Sequence, residues 1–276
     1  MKKQKIHIIV GPTASGKSSL AFRMAKEQSG QIVNADAFQV YSGLRVLTAR
    51  PTADEEKEIP HHLYGYGDDN FQENVQGWLS KACEILPNLS NPIVVGGTGM
   101  YVNALINGIN QMPEIPDEIR QSVRQMDINE VRSLLKGQNV FPDPQRQRRA
   151  LEVFMATNKT IEYFQKQPLK KMIDAEFYLI LVQPPRQAVY NKIAKRLDVM
   201  FEQGAVDEVE NLLKSKACGG VLKAIGVKEI AQFLNKELTL EQTKEQILLS
   251  TRHYAKRQMT WFRHQITPDL VISDGV

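Results

Sequence analysis

The sequence predicts an α/β protein, and three observations carry that prediction. Short runs of β-branched residues recur, each followed by a small or glycine-rich turn and a helix-like stretch; the first run leads straight into a glycine-rich loop; and the strand pattern vanishes between Gly108 and about Lys171, where helix-like sequence takes over. Strands alternating with helices make βαβ units, whose crossovers cover both faces of a parallel sheet. A three-layer core with a small helical insertion is the expected architecture.

In chain order, the first three strands are expected at residues 6–10, 31–34 and 92–95, short apolar runs of the kind a parallel sheet buries. A fourth, 177–182, stops at Pro184-Pro185, and an amphipathic helix is expected over 187–213. Pro113 and Pro116 punctuate the start of the insertion, with helices expected over 118–135 and 144–164. The core is therefore assigned to 1–112 and 172–276, and the insertion to 113–171. On a helix from Arg252, the residues Arg252, Lys256 and Arg263 fall near one face and Ala255, Met259 and Phe262 on the opposite, apolar one.

Composition excludes several classes. With 276 residues, 42% hydrophobic, 24% charged, 17 Gly and 13 Pro, the chain matches none of the disordered, collagen-like or disulfide-scaffold profiles. Its two cysteines, Cys83 and Cys218, lack any ligand spacing and are expected as small buried hydrophobes in a reducing compartment. The apolar run at 6–10 is too short for a signal-peptide core or a membrane span, so a cytoplasmic protein is expected. The net charge of +4 permits a polyanionic partner. His61 and His62 have no third ligand at a useful spacing and are expected to order the loop after Pro60, while Asp54, Glu55, Glu56 and Glu58 should form a solvated helix start.

The glycine-rich loop is the most specific local signal. Gly11-Pro12-Thr13-Ala14-Ser15-Gly16-Lys17-Ser18 fits GxxxxGK[ST] between a predicted strand and a predicted helix. Its glycines let backbone N–H groups converge on a phosphate at a helix N-terminus, Lys17 adds a point charge, and the Ser18 hydroxyl is placed to hold Mg²⁺. The core is thus P-loop NTPase-like. Such proteins usually carry an acid at the end of a second strand. None follows Gly96-Gly97-Thr98-Gly99 or the run at 179–183, which leaves Asp36, just past the second strand, as either a metal support or a general base.

Further segments converge on one family. Besides the P-loop, they are Asn34-Ala35-Asp36-Ala37-Phe38-Gln39-Val40-Tyr41, Thr48-Ala49-Arg50-Pro51-Thr52, Pro60-His61-His62-Leu63 and Val95-Gly96-Gly97-Thr98-Gly99-Met100-Tyr101. Downstream come Asp143-Pro144-Gln145-Arg146 leading into Arg149-Ala150-Leu151-Glu152-Val153, then Ala224-Ile225-Gly226-Val227-Lys228-Glu229 and Thr251-Arg252-His253-Tyr254-Ala255-Lys256-Arg257-Gln258-Met259-Thr260-Trp261-Phe262-Arg263. In this order they resemble the tRNA dimethylallyltransferases, or isopentenyl-tRNA transferases. The resemblance implies transfer of a dimethylallyl group from dimethylallyl diphosphate to N6 of the adenosine immediately 3′ of the anticodon, with release of diphosphate.

By that resemblance Asp36 is the base for the N6 proton, Thr98 hydrogen-bonds at the same site, the P-loop and Arg196 hold the diphosphate, and Mg²⁺ is the cofactor. ATP is then not a substrate. The target base must leave the anticodon-loop stack, so Asp36, Ala37, Phe38, Gln39 and Thr98 are expected beside it; Phe38 fits the core equally well. Arg120, Gln145, Arg146, Gln147, Arg148 and Arg149 in the insertion, with Lys228, Arg252 and Lys256 in the core, are expected to contact the tRNA anticodon stem-loop. Residues 145–171 carry seven cations against two carboxylates, which suits that partner. The enzyme is expected to be a monomer. The sequence departs from the family at Ala37, where Ser is usual, at Leu47-Thr48-Ala49-Arg50, where Gly-Thr-Ala-Lys is usual, at Val227, and in a shortened segment before Asp143. An adenylate isopentenyltransferase using a free nucleotide is the nearest alternative, and a small-molecule P-loop kinase a more distant one.

Overall fold

The computed structural model describes residues 3–138 and 142–273. Its first compact unit is built on strands β1 (Gln4–Val10), β2 (Gln31–Asn34), β3 (His61–His62), β4 (Pro92–Gly96), β5 (Ala175–Val182) and β6 (Leu270–Ile272), in the order β3-β2-β4-β1-β5-β6. Every pairing is parallel. Ile6, Ile8, Ile9, Val10, Ile93 and Val94 are fully buried, as continuous apolar runs must be when both faces of a sheet are covered. The four strands read from sequence are present. The two edge strands, β3 and β6, were not expected, because a two-residue pairing and a three-residue strand with Leu270 and Val271 exposed carry too little pattern.

Helices α1 (Lys17–Gln28), α2 (Ala53–Glu58), α3 (Val75–Ile85) and α4 (Gly99–Asn107) follow the first strands. Contrary to expectation, no helix follows β2 directly; residues 35–52 form an irregular segment. Its exit is fixed from below: the Trp78 indole donates to Asn34 O at 2.8 Å and stacks on Tyr101 with centroids 4.5 Å apart, a pairing worth about 0.5–1.5 kcal/mol beyond burial. Glu208 accepts the N–H groups of Arg45, Val46 and Leu47 and so holds the turn they form.

Two expectations about α2 and the cysteines need correction. Thr52 and Glu55 form a capping box, but Glu56 is not simply solvated: it pairs with Arg45 at 2.8 Å and Arg50 at 3.7 Å. Cys218 is exposed, with Sγ 3.1 Å from Asn70 Oδ1, and Cys83 is only half-buried. A thiol on a surface turn lies there because Asn70 offers its backbone and side chain a partner, which composition alone does not reveal.

Residues 107–171 form the second unit, beginning at Asn107 rather than at 113. Its ends meet where Ile109 and Lys170 exchange backbone hydrogen bonds of 3.3 and 3.0 Å. Each long helix expected here is broken in two: α5 (Asp117–Gln125) and α6 (Ile128–Leu134) by the Asp127 N-cap, α7 (Pro144–Thr157) and α8 (Ile161–Gln165) by left-handed Asn158 and the Thr160 N-cap. Polar caps override apolar periodicity because they satisfy the orphan N–H groups of a new helix start. Val123, Val131, Leu135, Leu151 and Val153 form this unit's own core.

Back in the first unit, the expected helix over 187–213 is likewise two, α9 (Arg186–Glu202) and α10 (Ala205–Lys214), separated by Gly204 at φ 92°. Then come α11 (Val227–Leu234) and α12 (Leu240–Gln265), whose predicted apolar face, Ala255, Met259 and Phe262, is buried. Among the described residues no helix is long and apolar enough to cross a membrane.

Candidate active site

The P-loop runs off the end of β1 into α1. Ala14 and Gly16 adopt left-handed backbone at φ 60° and 96°, and α1 opens with no side-chain cap. The N–H groups of its first turn are therefore left for an anion, where the helix dipole also favours one. A Cβ on Gly11 would run into Val182 O and lie 2.8 Å from Ser15 Oγ, so only glycine lets the loop pack against β5. Lys17 Nζ donates to Pro12 O at 3.3 Å. Burial pushes its pKa down to about 8, against the pull of Asp36 and with the push of Arg196. A partly buried ammonium that donates to a backbone carbonyl fits a site built for an anionic ligand. Arg196, on α9, is no solvated cation; it donates to Thr13 Oγ1 at 2.7 Å, and burial lowers its pKa against the pull of Asp36.

Asp36 follows β2. Buried Asn34 clamps this point: its Oδ1 accepts the Asp36 N–H at 2.8 Å, and its Nδ2 donates to Asp36 O at 3.0 Å and Leu63 O at 2.9 Å. Asp36 Oδ1 accepts the Phe38 N–H at 3.0 Å. The turn after β4 closes on the same place, with Thr98 Oγ1 accepting the Ala37 N–H at 2.9 Å and Thr98 N–H donating to Ala35 O at 3.2 Å. Gln39 is held inward, donating to Thr48 O and Ala49 O, both at 2.9 Å.

Two residues of α12 complete the site, and neither was singled out from the sequence. Tyr254 hydrogen-bonds Thr98, and burial followed by the Asp36 charge raises its pKa, so it stays a neutral phenol. Gln258 bonds the P-loop on one side and Gly97 on the other. Both lie in the quoted segment 251–263, but a Tyr and a Gln among arginines and lysines give no sign of pointing inward; only their placement four apart, on the Ala255/Met259 side, hints at it.

These groups surround one cleft with two lobes. The first, with about 890 Å³ of empty space, is lined by Gly16, Lys17, Ser18, Asp36, Lys192 and Arg196 among others. The second, about 640 Å³, is lined by apolar Phe38, Leu47, Ile193, Leu197 and Met200 on one part of its wall and by polar groups, Tyr254 among them, on the rest. Thr13, Asp36, Thr48 and Arg196 line both. Phe38 thus serves both expectations, packing on the core and facing the cleft.

His61 and His62 do order the segment after Pro60, through His61 Nδ1 to Ile59 O and His62 Nε2 to Gln31 Oε1, both at 2.8 Å. Among the described residues no group of three or more His, Cys, Asp or Glu side chains could hold a metal. Arg50 is buried, donating to Tyr41 O at 3.2 Å.

The residues expected at the RNA divide into two sets. Lys228 and Lys256 are exposed in the first unit, and Arg120, Gln145 and Arg146 in the second. The others are partly or fully buried. Arg252 does not sit on the outer face; its guanidinium lies 5.3 Å over the Tyr190 ring with Nε buried. Gln147 is 4% exposed and accepts from Arg132 Nε at 3.2 Å. Arg148 donates to Val123 O and, at 3.4 Å, to Arg124 O, satisfying carbonyls at the end of α5, and Arg149 pairs with Glu152 at 3.2 Å.

Fold and cleft define a P-loop α/β protein whose glycine-rich loop lies beside a carboxylate. The chain belongs to the IPP transferase family, whose model matches residues 39–265, while a model described as isopentenyl transferase matches residues 4–64. It is 43% identical to a tRNA dimethylallyltransferase of Rhizobium johnstonii over 277 aligned positions, covering 94% of this chain and 93% of the relative. It is 40% identical to that of Bartonella henselae, covering 99% of each. Among solved structures, the tRNA isopentenylpyrophosphate transferase of Bacillus halodurans superposes with a TM-score of 0.73 at 28% identity, over 99% of this chain and 92% of that one. A eukaryotic dimethylallyltransferase acting on tRNA gives 0.79 at 26% identity, over 94% and 70%.

Proposed function

We propose that this chain is a tRNA dimethylallyltransferase, moving a dimethylallyl group from dimethylallyl diphosphate to N6 of the adenosine immediately 3′ of the anticodon. The observation that carries the reading is the shared cleft: a loop suited to an anion and a carboxylate border one space that continues into a lobe walled in part by Phe38, Leu47, Ile193, Leu197 and Met200. The diphosphate lies on the P-loop N–H groups with Lys17 and Arg196 as counter-charges. The N6 nitrogen forms a bond to the allylic carbon, the carbon–oxygen bond breaks, and its electron pair leaves on diphosphate. Asp36 takes the N6 proton, a task that contributes about 10²- to 10⁴-fold. Charge grows on the leaving oxygens as this happens, and buried cations oppose it more strongly than water would.

The donor set at the loop suits Mg²⁺. Ser18 lines the loop's lobe with a hydroxyl oxygen, and a Mg²⁺ takes one or two protein oxygens and fills its remaining positions with phosphate and water. When bound, the ion neutralises charge on the departing diphosphate. For the RNA, Lys228 and Lys256, together with Arg120, Gln145 and Arg146, are the exposed cations and amide that support phosphate contact. A monomeric enzyme is part of this reading, and its tRNA substrate supports a cytoplasmic one.

The test is incubation with unmodified tRNA, labelled dimethylallyl diphosphate and Mg²⁺. One diphosphate released per label on adenosine N6 is expected. Equal or faster labelling of free AMP would favour the nucleotide enzyme, and ATP turnover without tRNA a kinase.

A further inference from the structure

Transfer needs the diphosphate loop and the carboxylate turn held at a fixed separation, yet the two are extensions of different strands. Strands β1 and β4 are neighbours, and their paired register ends at Val10 and Gly96, before either loop reaches the site. One side chain spans the two beyond that point. Gln258, 6% exposed on α12, accepts the Thr13 N–H on Oε1 at 2.8 Å and donates from Nε2 to Gly97 O at 2.8 Å.

Both ends of this bridge lead to the reacting groups. Thr13 is also held by Arg196 through Oγ1 at 2.7 Å. Gly97 faces the amide so closely that a Cβ there would run into Gln258 Nε2 and lie 3.4 Å from Asp36 Oδ2. The next residue, Thr98, accepts the N–H of Ala37, which adjoins Asp36. A continuous path therefore runs from Arg196 and Thr13 through Gln258 to Gly97, Thr98 and the base.

We infer that Gln258 is a positioning residue, setting the distance between the diphosphate loop and the turn that carries Asp36, and so the approach of N6 to the allylic carbon. Glutamine is suited to it because a planar amide offers one acceptor and one donor on a rigid group. Glutamate keeps the acceptor and loses the donor, methionine keeps the shape and loses both, and asparagine keeps both on a stem one methylene too short. Misplacement of reacting groups by about 1 Å can cost about 10²-fold.

The inference rests on the transferase reading, and the experiment separates the two. Single-turnover transfer to unmodified tRNA, equilibrium binding of dimethylallyl diphosphate and of tRNA, and thermal melting are measured for the parent, Gln258→Met, Gln258→Glu and, as a stability control, Leu86→Ala. Leu86 is fully buried after α3 and takes no part in either loop. Both Gln258 variants are expected to lose about 10- to 100-fold in single-turnover rate while holding each substrate within about threefold. Leu86→Ala should melt lower with an unchanged rate. Should Gln258→Met not fold, Gln258→Asn carries the same expectation. Parent-like rates in the Gln258 variants, or weakened substrate binding with an unchanged single-turnover rate, would overturn the positioning role alone. A parent that transfers nothing to tRNA would overturn the transferase reading and this inference with it.

Discussion

The donor half and the acceptor half of the cleft are built on opposite plans. The donor half is mainly eight consecutive residues whose shape comes from two left-handed residues and an uncapped helix start, with Arg196 and Gln258 attached at the single point of Thr13. The acceptor half is assembled from three distant stretches: Asp36 after β2, Thr98 after β4, and Tyr254 with Gln258 on α12. A local loop resists changes in distant packing, whereas a convergent turn depends on every contact beneath it, here Asn34 and Trp78. Substitutions should therefore act differently on the two halves.

The largest effect is expected for Asp36→Asn, which keeps the side chain's shape and removes the proton acceptor. Transfer should fall by about 10²- to 10⁴-fold in single-turnover assays. Next is Lys17→Met, where loss of a charge-assisted contact should weaken diphosphate binding by about 10- to 100-fold, measured by calorimetry.

Lys17 also makes a pH prediction. In the fold its pKa is about 8, and a bound diphosphate raises it, so binding takes up a proton near pH 8 to 9 and affinity falls as pH rises through 8. Lys17→Met should abolish both effects. The sign for stability is opposite: between about 8 and the ordinary 10.5 the unfolded chain holds a proton the folded chain releases, so the protein alone gains stability as pH rises across that window.

A smaller effect is expected for Asn34→Ala, which strips hydrogen bonds from the Asp36 backbone and Leu63 and should destabilise the protein by about 1–3 kcal/mol in urea melts. The smallest belongs to the second unit. Arg146→Ala should flatten the dependence of log K for tRNA on log salt by about 0.7, while Arg148→Ala, whose guanidinium is bound to α5 carbonyls, should lower the melting temperature and leave that slope unchanged.

The same contrast explains what was legible in the sequence. The P-loop could be read residue by residue because its function lies in consecutive backbone geometry, and the four inner strands because full burial demands unbroken apolar runs. Asp36 was legible as a lone acid past a strand, but its role came from resemblance, since nothing in sequence shows Thr98 beside it. Gln258 and Tyr254 were hidden because an inward polar residue on an amphipathic helix looks like its outward neighbours. For the same reason Arg148 and Gln147 looked like RNA contacts although one caps a helix and the other is buried.

The most direct test of the two-part cleft is to measure dimethylallyl diphosphate binding and single-turnover transfer side by side in Asp36→Asn and Lys17→Met. The account predicts a crossed result: Asp36→Asn binds the donor within about threefold of the parent and barely transfers, while Lys17→Met loses donor affinity first. If Asp36→Asn loses donor affinity as severely as Lys17→Met, the carboxylate supports the metal and diphosphate rather than the acceptor amine, and the division proposed for the cleft is wrong.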